Sequence, residues 1–153
     1  MASTSTLTSH SQSTHSQSVA LPAMAAPVVL LGRFLFSLIF LLAGPINFSG
    51  KTIAFAASQG VPLASIAVPL SGIIALAGAL SILLGYRARI GVWLIVLLLA
   101  VVTPALHNFW AVTDPMMHQM QFVMFLKNLS MMGGALFISQ TGSGPWSLDA
   151  RSK

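Results

Sequence analysis

Six polar side chains stand inside or beside strongly apolar stretches: Asn47, His107, Asn108, Gln121, Lys127 and Asn128. A neutral histidine and a lysine together can donate to the oxygens of a carbonyl compound such as a quinone. Histidine is also the side chain that most readily moves a proton near pH 7, and quinone reduction consumes protons. In that arrangement His107 and Lys127 polarise the oxygens, Asn108 and Asn128 orient them, and Trp110 covers the ring. The same side chains could instead form a hydrogen-bond network that ties helices together, each bond adding about 0.6 kcal/mol. Residue types alone leave both readings open.

Lys127 carries most of the information. It lies near the middle of an apolar stretch, 118–139, that is long enough to cross a bilayer. A charge at that depth costs about 2.5 to 3.5 kcal/mol on insertion scales, so such a lysine faces a protein interior, a partner or a wet cavity.

Composition sets the solvent. The chain is 56% hydrophobic and 6% charged, with a mean hydropathy of +0.87 and seven basic against two acidic residues in 153. A soluble domain needs roughly 25% charged residues to cover its surface. Lipid must take that place. Windows of about 20 apolar residues occur four times, at 27–48, 63–85, 90–112 and 118–139. The last three are joined by short connections and must run antiparallel to their neighbours. The expectation is an all-α, integral membrane four-helix bundle over 27–139, followed by a tail at 140–153.

These helices fix the depth of the polar residues. His107 precedes the loop at 113–117 by six residues and Lys127 follows it by ten, a difference of roughly 6 Å at 1.5 Å per residue. A lysine side chain spans that distance, so the two can share one pocket. Gln121 and Asn128, seven apart, lie on one face of the fourth span, and Asn47 closes the first span at the same end. Pro104 removes a backbone donor just before His107 and predicts a bend there. Trp110 also suits an interfacial aromatic belt.

Basic residues in short loops stay on the cytoplasmic side. Arg87 and Arg89 link spans two and three, Arg151 and Lys153 lie in the C-terminal tail, and only Lys51 falls in a loop on the other side. Both termini are therefore expected in the cytoplasm. Arg33, near the start of span one, can snorkel to the same interface and, with Arg87 and Arg89, contact lipid head groups. The first 26 residues are Ser/Thr-rich and uncharged, which predicts a disordered cytoplasmic tail and argues against a cleaved signal peptide. In span two, Ser71, Ala75 and Ala79 recur every four residues beside Gly72 and Gly78, a face on which helix backbones approach closely.

The absence of cysteine excludes thiolate and iron-sulfur chemistry. Six of the eight methionines fall between Met116 and Met132, around Met-Met-His-Gln-Met. Thioethers suit Cu(I), but the spacing has no repeated metal pattern, and no metal is expected.

The chain resembles the DoxX family of small four-helix membrane proteins from Val29 to Asp149. The resemblance is carried by Gly32-Arg33, Ala43-Gly44 with Asn47, Gly60-Val61-Pro62 and Gly85-Tyr86-Arg87-Ala88-Arg89. Further along lie His107-Asn108-Phe109-Trp110, Phe125-Leu126-Lys127-Asn128-Leu129 with Gly133-Gly134, and Gly144-Pro145-Trp146-Ser147-Leu148-Asp149. It implies a bacterial inner membrane location and a quinone-associated membrane subunit of an oxidoreductase. Its implied partners are membrane lipids and protein subunits of a redox complex, with no nucleic acid. The alternative is a non-catalytic accessory subunit of a larger respiratory or photosynthetic complex, and a small anion transporter is a third reading. The family often has a glutamate in span two where this chain has Ala75, so no carboxylate remains inside any span. Either Lys127 is uncharged, or an anion, a substrate oxygen or a partner's carboxylate completes its site.

Overall fold

In the computed structural model the described residues are 25–144 and 146–151. The disordered tail expected at 1–26 lies almost wholly outside them. Among the described residues there are no strands, and four helices are long and apolar enough to cross a membrane.

Helix α1, Ala25–Ala43, carries Pro27 in its first turn, where a missing donor does no harm. Gly44 and Pro45 stop it and turn the chain into a 3-10 segment, Gly44–Phe48. Ser49 then caps α2, Gly50–Ser58, by accepting from Thr52 N at 3.3 Å. This extra short helix occupies what the apolar windows leave as a loop.

Helix α3, Ala64–Leu84, ends in a Schellman turn. Gly85, at φ +64°, donates to Ile82 O, and Tyr86 N donates to Ser81 O at 3.1 Å. Two residues further on, Arg87 starts α4, Ala88–Leu106. The last span is α5, Pro115–Thr141, which Asp114 caps by accepting from Met117 N at 2.8 Å. A final short helix, α6, Leu148–Arg151, is capped by Ser147.

Helix α3 lies between α1 and α4, and α4 lies between α3 and α5. The 3-10 segment and α2 also pack on α3. Side chains close the ring between α1 and α5, with Phe36 beside Gly134 and Phe40 sharing a core with Ala135. Glycines set the closest approaches. A Cβ on Gly78 would stand 2.9 Å from the Ile95 side chain, and one on Gly91 would stand 2.8 Å from Gly78 O. Gly72 faces the 3-10 segment instead, with Gly44 O 2.8 Å from where its Cβ would be. The small face of α3 therefore serves two partners, α4 and the turn after α1. Large apolar side chains point outward, including Val101 and Phe137, which only lipid can solvate.

The C-terminal residues are part of the fold. Asp149 N donates to Gly85 O at 3.1 Å, and its carboxylate accepts from Arg87 N at 3.1 Å and Ser143 Oγ at 2.7 Å. They return to the end of the bundle that holds the start of α1, with Val29 against Gly144.

Candidate functional site

Arg33 does not reach lipid. It is 3% exposed, and its guanidinium donates to four backbone carbonyls: Ile82 at 2.8 Å, Ser143 at 2.5 Å, Trp146 at 3.3 Å, and Leu83. The carbonyls at the end of α3 lack donors four residues on, Ile82 O receiving only the cap from Gly85 N, so they take the head group that the interface was expected to hold. Arg87 and Arg89 are exposed at the same end, Arg87 with its guanidinium 5.6 Å from the Tyr86 ring centre.

A cavity of about 590 Å³ opens between α1, α2, α3, α4 and α5. Its walls are mostly apolar, with Phe40, Phe55, Val68, Leu98 and Leu106 among them. Five polar residues line it: Asn47, Thr52, Ser71, Lys127 and Asn128. The first three already make side-chain hydrogen bonds. Asn47 Nδ2 donates to Ser71 Oγ at 3.1 Å, Ser71 Oγ donates to Val68 O at 2.6 Å, and Thr52 Oγ1 donates to Ile46 O at 3.0 Å.

The two residues on α5 differ. Asn128 is 5% exposed, yet among the described residues its amide has no side-chain hydrogen bond. The Lys127 ammonium has a thioether for its acceptor, Met124 Sδ at 3.3 Å. Sulfur of this kind accepts weakly, and a buried amide without a partner is destabilising, so both groups hold unused donors against the cavity.

The single pocket expected from the sequence divides into two. Asn47, Lys127 and Asn128 meet at the cavity, whereas His107, Asn108, Trp110 and Gln121 lie outside its walls. His107 Nδ1 is 2.8 Å from Gln121 Oε1 and donates to it. Helical geometry ends at Leu106, and His107 has φ −124° and ψ 50°. The depth count along 90–112 therefore fails beyond Leu106, and the imidazole turns towards α5 at Gln121, six residues or about 1.7 turns from Lys127. Asn108 opens a 3-10 turn, Phe109–Ala111, and Trp110 is 60% exposed. Trp110 covers no ligand ring in the cavity. It stands edge-on to Phe109 and Phe125, with centroids 5.1 and 6.1 Å away.

The sequence reading missed Phe55 and Ala56, which α2 brings to the cavity. The available signal was the capping pair Ser49 and Thr52.

Comparison with known proteins decides the family. The SURF4 family model matches residues 27–153, which covers most of the chain. The chain belongs to the SURF4 family. This corrects the DoxX resemblance. The motifs that carried that resemblance have packing roles here: Gly85 turns the chain, Arg33 holds carbonyls, and Ser147 caps a helix. Such short pieces report how a small four-span bundle closes, not which reaction it serves. A SURF4-family chain with four apolar spans is an integral, multi-pass membrane protein in contact with lipid. It is 30% identical over 131 residues to the inner membrane protein YphA of Escherichia coli strain K12, covering 83% of this chain and 92% of that protein. The location is accordingly the inner membrane. No solved structure matches the chain.

Proposed function

We propose that this SURF4-family protein binds a lipophilic molecule within the membrane, in the cavity bounded by α5. The apolar walls take the body of the molecule, and an oxygen on it accepts from Lys127 Nζ and Asn128 Nδ2. Asn128 is the observation that carries this reading: a side chain 5% exposed, lining a cavity, with no hydrogen-bond partner among the described residues. Its amide atoms keep accessible surface and border the cavity, where they are open to a ligand's oxygen. A volume of about 590 Å³ falls within the range of small-molecule sites.

A quinone is one molecule of this kind, entering by one carbonyl. The two-ended clamp between His107 and Lys127 is not formed, because His107 is held by Gln121 outside the cavity. An oxidoreductase subunit was the implication of the DoxX resemblance, and SURF4 membership does not carry it.

Native mass spectrometry on protein gently extracted from its own membrane tests the reading. A lipophilic adduct is expected on the wild type, and its loss in Ala105→Phe, which fills the cavity from an exposed wall position. A wild type without adduct, or an adduct that survives Ala105→Phe, refutes it.

A further inference from the structure

We propose that the molecule in this cavity is a lipophilic monocarboxylic acid, its head held at mid-membrane by Lys127 and Asn128. The inference rests on the cavity being a ligand site and adds the charge of the ligand.

Helix α5 runs from Pro115 to Thr141, so Lys127 stands at its centre, about 20 Å from either end at 1.5 Å per residue. A lysine at that depth calls for a counter-charge. The chain has two acidic side chains in all, Asp114 and Asp149. Asp114 is thirteen residues before Lys127 and caps the start of α5. Asp149 is engaged at the opposite end by Arg87 N and Ser143 Oγ. Neither reaches the cavity, and neither lines it. A second copy of the chain would bring the same two carboxylates at the same depths, so self-association leaves Lys127 without an acid.

Lys127 is exposed where it borders the cavity, so a carboxylate bound there reaches its ammonium. A neutral carbonyl would satisfy hydrogen bonds and leave the charge uncompensated. A carboxylate does both, because its two oxygens match two adjacent donors, the Lys127 ammonium and the Asn128 amide, in charge-assisted bonds. The mostly apolar walls suit a hydrocarbon body.

The test uses the full chain in nanodiscs of neutral lipid, titrated with the fluorescent polyene cis-parinaric acid and, separately, with its methyl ester. The acid is expected to bind the wild type about tenfold or more tightly than the ester, the scale of one charge-assisted pair. Lys127→Met should abolish that preference by weakening the acid about tenfold more than the ester, and the ester binding that remains reports an intact cavity. Ala105→Phe should weaken both ligands. Equal wild-type affinities for acid and ester, both weakened by Ala105→Phe, overturn the acid and leave the lipophilic site standing. Binding indifferent to both substitutions is partition into the bilayer and overturns the site as well.

Discussion

Arg33 Nε donates to the carbonyl of Ile82 at 2.8 Å, joining the first membrane span to the last turn of the second across 49 residues of sequence. The same carbonyl accepts from Gly85 N at 3.2 Å, so one guanidinium reinforces a turn that a glycine has already closed. Arg33→Met leaves the Leu83, Ser143 and Trp146 carbonyls without that donor and should lower stability by about 3 kcal/mol, read as thermal unfolding in detergent. Arg33→Lys should recover little, because an ammonium lacks the fork that serves carbonyls from three directions. Wild-type stability in the lysine variant would show that charge alone suffices.

Gly85→Ala tests the turn itself. Its φ of +64° disfavours a side chain, and a Cβ there would stand 2.4 Å from Ser147 Cβ and 2.6 Å from Arg33 Nη2. A loss of about 2 kcal/mol is expected, with faster proteolysis within 142–147 as the C-terminal residues lift away. Unchanged cleavage would mean that those residues are held independently of Gly85.

The glycines at helix crossings should not be equivalent. Gly91→Ala pushes against Ser81 and Gly78 O and should destabilise by about 1–3 kcal/mol. Gly134→Ala meets only Phe36 at 3.5 Å, an ordinary contact, and should be neutral or gain up to about 1 kcal/mol from helix propensity. Unfolding of both variants by denaturant in one detergent decides the order, and equal losses would contradict the crossing described for α3 and α4.

Asn128→Leu should separate stability from binding. Replacing an amide that has no partner among the described residues should leave stability unchanged, or raise it by up to about 1 kcal/mol, in the absence of ligand, while the adduct seen in native mass spectrometry disappears. A fall in stability would show that the amide is structurally engaged.

Thr103 poses the same question away from the cavity walls. Its Oγ1 is buried without a hydrogen-bond partner, as is Ser37 Oγ. Thr103→Val keeps the shape and removes the hydroxyl, so a gain of about 1 kcal/mol in thermal unfolding is expected. A loss would reveal a partner for that hydroxyl.

The spans were legible because lipid demands an unbroken apolar run of fixed length, a constraint that Leu63 to Gly85 and its neighbours satisfy with little ambiguity. Helix ends were not. Pro104 signals a disturbance, but whether the helix stops at Leu106 or runs on to Trp110 depends on contacts with Phe122 and Phe125, which are distant in sequence. A few residues of unwinding at His107 separated it from Lys127. For Arg33 the rule for isolated helices, in which a long cation seeks the interface, points the wrong way. Its carbonyl partners come from α3 and from Ser143 and Trp146, and nothing local to Arg33 announces them. The family assignment failed for a related reason, since short Gly, Pro and Arg signatures recur wherever compact bundles turn.

The Arg33 contacts also set an order of events during synthesis. Ser143 and Trp146 follow Arg33 by 110 and 113 residues, so at about 5–20 residues per second the arginine leaves the ribosome roughly 5–20 s before those acceptors exist. Through that interval its charge must stay hydrated or shielded by the insertion machinery. The first span can complete its contacts only after Ser143 and Trp146 have emerged, which makes the docking of that segment the closing step of assembly and a chain cut before it a target for quality control.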